Sequence, residues 1–222
     1  EKKVDFESIK GVNVIINLSG KNIFSFWSKK NKNEILSSRI DSVKTLNKLI
    51  YKNDKLKHVI SASATGIYFN DSSNIQDEFS KTNTKSFLGK VVDNWEMELN
   101  KISHKNIKLT KLRIGIVFSK EGGFLKKLLF LNYLRVNPLI SRGNQWQSWI
   151  HIDDLVHAIQ FIISKKLNGL INLVSPNPCT NQDISLKIIK LYKKPFFSFS
   201  IPSFIAKIPF QLIGTTDFFN EI

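Results

Sequence analysis

Lys57-His58-Val59-Ile60-Ser61-Ala62-Ser63-Ala64-Thr65-Gly66-Ile67-Tyr68-Phe69 is the stretch that decides how this chain folds. Its first half is a short apolar run that fits a strand buried on both faces, and its second half breaks into small hydroxyl residues and a glycine. A strand ending in Ser61, Ser63, Thr65 and Gly66 sets short donors and acceptors at the carboxyl edge of a sheet, where open α/β folds bind ligands. A buried strand followed by an ordinary turn would use the same residues, because small polar residues punctuate most strand ends. The flanking segments weigh on the choice.

Upstream, Gly11 to Gly20 is another β-rich apolar run, closed by small residues and aimed at the same edge. Between the two runs, Ile35, Leu36, Ile40, Val43, Leu46, Leu49 and Ile50 recur at helical spacing over Glu34 to Ile50. Downstream of a polar loop over Asn70 to Lys85, Phe87, Leu88, Val91, Val92, Trp95, Leu99 and Ile102 mark a second amphipathic helix. Ile107 to Phe118 reads as one further strand. Strand, helix, strand, helix, strand implies right-handed crossovers and a parallel sheet, hence an α/β fold. Past Gly122-Gly123 the pattern predicts a helix over Phe124 to Leu134 and a strand-like Trp146 to Asp154 entering a helix over Leu155 to Ser164. A fourth core strand over Gly169 to Val174 and a short helix over Asp183 to Tyr192 follow. From Pro195 onward Pro202 and Pro209 cut up apolar residues, and a helix and loop folded over the main domain is expected.

Composition narrows the class. A chain of 222 residues, 42% hydrophobic with seventeen Phe, can bury a sizeable core and is not a disordered chain. Cys179 is the one cysteine, so there is neither a disulfide framework nor a thiolate metal cluster; a reducing cytoplasm is the expected setting. His58, His104 and His157 are too scattered for metal-ligand spacing, and no metal is expected. No uninterrupted apolar stretch reaches the roughly 18 residues of a membrane span, and no membrane partner is expected. The net charge of +15 invites a nucleic-acid reading. However, only Arg39, Arg113, Arg135 and Arg142 are arginines among 33 basic residues, and the lysines are dispersed. Directed phosphate and base recognition leans on arginine forks and clustered patches, so nucleic acid is not the expected partner.

Five segments in register carry a resemblance. They are Val14 to Gly20, Glu34 to Arg39, Ser61 to Gly66, Asp93 to Glu96, and Gly143-Asn144-Gln145-Trp146-Gln147-Ser148-Trp149-Ile150-His151-Ile152-Asp153-Asp154-Leu155. Together they resemble the NAD(P)-dependent epimerase/dehydratase family, an atypical extended short-chain dehydrogenase/reductase branch that includes cell-division-inhibitor homologues and nucleoside-diphosphate-sugar epimerase-like proteins. The resemblance implies a Rossmann-like domain over residues 1–175, with a substrate-side insertion near 120–150 and the start of a C-terminal substrate-side region over 176–222. It implies NAD(P) as cofactor, with NADP the expected form, and a polar small molecule as substrate. Asn17, Leu18, Ser19, Gly20, Ser61, Ala62, Arg113 and Gly115 become the candidates for holding the cofactor, since small residues at strand ends let backbone approach a ribose. Ser63 and Tyr68 are the catalytic candidates, Ser63 beside the nicotinamide where its hydroxyl meets the substrate oxygen. Gln145, Trp146, Ser148, Trp149 and His151 mix flat rings with hydrogen-bonding groups, as a pocket wall for a polar ring does. A tight turn at Asn17 to Gly20 and a packed histidine at His151 are the plain structural alternatives. Arg39 reads as a helix-surface charge or an internal ion pair, and Asp153 and Asp154 as residues that cap a helix and suit its dipole.

Two departures limit what the resemblance implies. The superfamily moves hydride with a Tyr-x-x-x-Lys pair, and the matching positions here hold Leu88 and Val92, which move no proton. A dinucleotide fold also opens on a strand and a G-x-G-x-x-G turn that holds the pyrophosphate, and no such turn occurs in the 222 residues. The family's first strands are therefore expected upstream of Glu1, or the gene is a decayed one, and cofactor binding by residues 1–222 alone is expected to be weak. A non-catalytic NAD(P)-binding or regulatory protein is the rival expectation.

Overall fold

The computed structural model describes residues 7–23, 27–69, 74–102, 106–140, 143–192 and 197–201. Strand β1 (Val14–Asn17) leads into α1 (Lys29–Ile50), β2 (His58–Ala64), α2 (Phe87–Asn100) and β3 (Lys108–Ile114). After these come β4 (Ile116–Phe118), α3 (Gly123–Tyr133), β5 (Val136–Ile140), β6 (Trp146–Gln147) and β7 (Trp149–His151). Helix α4 (Ile152–Lys165), β8 (Gly169–Leu173), β9 (Cys179–Thr180), α5 (Asn181–Tyr192) and β10 (Phe197–Ile201) complete the order. The main sheet runs β1-β2-β3-β8, parallel throughout, as a Rossmann-like α/β fold requires. Among the described residues β1 is an edge strand with Ile16 exposed.

Two apolar layers sandwich the sheet. On one side Val43, Leu46 and Ile50 of α1 and Trp95 and Leu99 of α2 close over Val59 of β2. On the other, Leu155, Ile159 and Ile162 of α4 close over Ile60, Leu112 and Leu173. The quoted apolar run is buried from His58 through Ser63, which is why it carries no alternation of polar and apolar residues.

Helix ends explain most shifts in boundary. Ser28 caps α1 by accepting the amide of Asn31, so the helix begins five residues before Glu34, through a lysine- and asparagine-rich turn with no apolar periodicity to reveal it. Ser86 caps α2 in the same way, accepting from Gly89. At α4 the cap is His151, whose Nδ1 accepts the Asp153 amide at 3.2 Å; Asp153 and Asp154 sit in the first turn, where they suit the dipole, and neither is the cap.

Three expectations are corrected. Ile107 to Phe118 is not one strand: the chain breaks at Gly115, and β4 leaves the main sheet to pair parallel with β7. Trp146 to Asp154 divides into β6, which pairs antiparallel with β9, and β7, with α4 starting at Ile152. The stretch past Pro195 holds a strand, β10, parallel to β5, where a helix and loop were expected; residues 195–196 and 202–222 lie outside the described residues. Strand β5 contains Pro138, which removes a ladder donor and hid the strand in the sequence.

Candidate active site

Register places two polar rows on the face of the sheet that α1 and α2 cover. Asn17 of β1 lies opposite Ser61 of β2, and its Nδ2 donates to Ser61 Oγ and to Ser42 Oγ of α1, each at 3.3 Å. Its Oδ1 accepts the Ser19 amide at 3.2 Å, which turns the chain at Leu18 to Gly20. Two residues further along the strands, Ser63, Arg113 and Asn172 lie side by side on β2, β3 and β8.

Helix α2 supplies the charge that this second row needs. Leu88, Val92 and Glu96 follow one another at spacings of four and share a stripe of the helix. Leu88 comes against the bare Gly66, where an added Cβ would stand 3.4 Å from its own. Val92 is buried, and Glu96 reaches the row. Arg113 Nε donates to Glu96 Oε1 at 2.9 Å and Nη2 to Oε2 at 2.8 Å, while Ser63 Oγ donates to Oε1 at 2.5 Å. Burial opposes the Glu96 charge, yet the bonds from Arg113 and Ser63 hold its carboxyl below the usual range. Burial likewise opposes the Arg113 charge, and the bonds to Glu96 and Tyr68 more than offset it, raising the guanidinium above its ordinary value. Arg113 Nη1 also donates to the Tyr68 phenol oxygen at 2.9 Å, and that hydroxyl donates to Asn172 Oδ1 at 2.7 Å. The Asn172 backbone N–H in turn donates to Glu78 Oε1 at 2.6 Å, tying the loop after β2 to β8.

The named residues therefore divide by access. Asn17, Ser61, Ala62, Ser63 and Arg113 are buried, whereas Leu18, Ser19 and Gly20 are exposed along the edge. Arg39 lies under this loop: its Nη1 donates to the Lys21 carbonyl at 3.1 Å, and its guanidinium carbon stands 3.2 Å from where a Cβ on Gly20 would be. The bare face of Gly115 is filled by the Ser148 carbonyl, 2.5 Å from where its Cβ would stand, so this glycine lets the 145–149 segment cross the end of β3. In that segment Trp149 stacks on Phe118 with centroids 5.0 Å apart and donates its indole N–H to the Asn177 carbonyl at 2.9 Å. His151 is exposed and committed to its cap; Gln145 is half-buried and takes the Asn181 amide on its carbonyl; Trp146 and Ser148 are exposed.

Glu96, Asn172 and Glu78 were assigned no role from the sequence. Glu96 had a visible signal, a carboxylate four residues beyond Val92 on an otherwise apolar stripe of the helix. Asn172 and Glu78 had none, since their pairing depends on strand register across 94 residues of separation.

Adjacent small-residue strand ends of this kind could hold part of a dinucleotide. A parallel sheet brings the ends of β1 and β2 to one edge, with Leu18 to Gly20 free for close backbone approach. No G-x-G-x-x-G turn occurs in the 222 residues. No group of three His, Cys, Asp or Glu suited to a metal occurs among the described residues.

The family model described as NAD dependent epimerase/dehydratase family matches residues 3–173. The chain belongs to this family. The resemblance read from the five segments is thereby borne out. Epimerase family protein YfhF of Bacillus subtilis is 32% identical over 200 residues, covering 89% of this chain and 65% of the relative. The chain thus spans just under two thirds of that relative's length. Among solved structures, human epimerase family protein SDR39U1 (isoform 2) with NADPH superposes at TM-score 0.83 with 22% identity, over 96% of this chain and 75% of that one. UDP-glucuronic acid 4-epimerase of Bacillus cereus with UDP-glucuronic acid and NAD gives TM-score 0.76 at 17% identity, over 89% and 65%. At these identities the two structures speak for the fold. No helix among the described residues is long and apolar enough to cross a membrane.

Proposed function

We propose that the chain belongs to an NAD(P)-dependent oxidoreductase or epimerase-like enzyme acting on a polar small molecule, with the cofactor lying across the ends of β1 and β2. The observation that carries this reading is the register of Asn17 with Ser61, which brings two small-residue strand ends to one edge of a parallel sheet in a member of this family. Leu18 to Gly20 approach the ribose, and Ser63 lies at the reacting end. Trp146 and Ser148, two of the exposed members of the 145–151 segment, line the substrate side. The bound dinucleotide supplies hydride chemistry; this chain's residues orient the substrate and shape the site. Bound sugar nucleotides in the Bacillus cereus neighbour support a sugar-nucleotide-like substrate, and NADPH in the human neighbour supports NADP as the form taken.

A second reading rests on a specific observation. The hydroxyls of Ser63 and Tyr68 are both spent on internal partners, and Leu88 and Val92 stand where the superfamily's proton-moving pair would be. That favours a protein that binds NAD(P) without turning over substrate. Single-turnover absorbance of NADPH against a panel of sugar nucleotides and small carbonyl compounds separates the two. Oxidation dependent on one compound supports the enzyme, and binding without oxidation across the panel supports the binder.

A further inference from the structure

Ser63 and Tyr68 each carry one hydroxyl proton, and the structure accounts for where each goes. Glu96 accepts from Arg113 on both oxygens, so it is a carboxylate with no proton to give, and the 2.5 Å contact requires Ser63 to donate. The Tyr68 oxygen accepts a hydrogen bond from Arg113 Nη1, which always donates, and its own proton points to Asn172 Oδ1. The backbone of Asn172 is held in turn by its place in register with Arg113 and by Glu78 on its backbone amide.

We infer that both hydroxyl protons are committed to the interior, so that toward a ligand Ser63 and Tyr68 offer oxygen lone pairs alone. The site then selects ligand groups that donate hydrogen bonds, a sugar hydroxyl or a carboxamide N–H, over a bare carbonyl. A carbonyl facing Ser63 would need the hydroxyl proton that Ser63 already donates to Glu96, and leaving a buried carboxylate short of a partner is costly. This rests on reading the β1–β2 edge as the cofactor and substrate crevice.

The test starts with the ligand-free full chain, isotope-labelled at serine Cβ and tyrosine Cζ, in equal parts light and heavy water. Slowly exchanging hydroxyls give doubled carbon lines and fast ones give single lines. Doubled lines are expected for Ser63 and Tyr68, and a single line for the exposed Tyr51. Ser63→Ala and Tyr68→Phe assign the signals; if either variant fails to fold, backbone connectivities in the unmodified chain assign them instead. An averaged single line at Ser63 or Tyr68 overturns the inference. A second arm titrates NADP and its 3-acetylpyridine analogue, which carries a methyl ketone in place of the carboxamide N–H donors. The analogue is expected to bind about three- to tenfold more weakly, with the difference lost in Ser63→Ala. Equal binding overturns the ligand preference and leaves the crevice reading intact. Binding of neither, with doubled lines present, overturns the crevice reading and with it the ligand preference, while the proton arrangement stands.

Discussion

Arg113 and Glu96 meet as a fork, Nε to Oε1 at 2.9 Å and Nη2 to Oε2 at 2.8 Å, across the interface between β3 and α2. Their side chains retain only 5% and 10% of their exposure. A buried pair of this kind recovers its desolvation cost only if its remaining sites are filled, and here Ser63 and Tyr68 fill them. The pair therefore acts as the pin that sets α2 on the sheet.

Removing one partner leaves the other charged and buried. Arg113→Met is expected to destabilise the chain by about 3–5 kcal/mol in urea unfolding. The double variant Arg113→Met, Glu96→Leu is expected to recover much of that loss. A single variant within about 0.5 kcal/mol of the unmodified chain would show that the fork does not pin α2.

His58 gives the fold a definite response to pH. Thr110 Oγ1 donates to the Leu167 carbonyl at 2.7 Å, so the 2.7 Å contact between Thr110 and His58 Nε2 makes Nε2 the protonated ring nitrogen. Nδ1 is left buried with no partner. Burial first, and then Lys108, hold the folded pKa below the ordinary 6.5. The unfolded chain takes up this proton first, so the stability His58 contributes is complete above about pH 6.5 and is lost as pH falls through the folded value. Melting temperature followed from pH 7.5 to 5 is expected to fall, and His58→Gln is expected to flatten part of that fall. An unchanged slope in the variant would contradict the assignment.

Gly89 tests how tightly the loop after β2 is fitted to α2. A Cβ there would stand 1.7 Å from the Asn83 carbonyl oxygen, and Asn83 is itself bonded through its amide to the Ile67 carbonyl at 2.6 Å. Backbone must move to admit it. Gly89→Ala is expected to cost about 1–3 kcal/mol despite the helix preference of alanine. Gly20→Ala, whose nearest neighbours are side-chain atoms of Arg39 at 3.2 Å and beyond, is expected to cost less. Equal costs in urea unfolding would show that the Asn83 turn yields freely.

These residues also show what the sequence could and could not reveal. The main sheet and its covering helices were legible because His58 to Ser63 is an unbroken buried run and because Val43, Leu46 and Ile50 recur at helical spacing. The break at Gly115 was not, since a glycine inside an apolar run looks like a continuing strand until the Ser148 carbonyl is seen filling its bare face. Likewise Ser63 and Tyr68 were readable as hydroxyls at a strand end, whereas Glu96 and Asn172, which direct their protons, become neighbours only through register across β2, β3 and β8.

Amide shifts of the full chain during titration with NADPH test the central claim most directly. The account predicts weak binding that moves Leu18, Ser19 and Gly20 together with Ala64, Thr65 and Gly66, because the two parallel strands end side by side at one edge of the sheet. Shifts confined to one of these two stretches, or centred elsewhere on the chain, would contradict it.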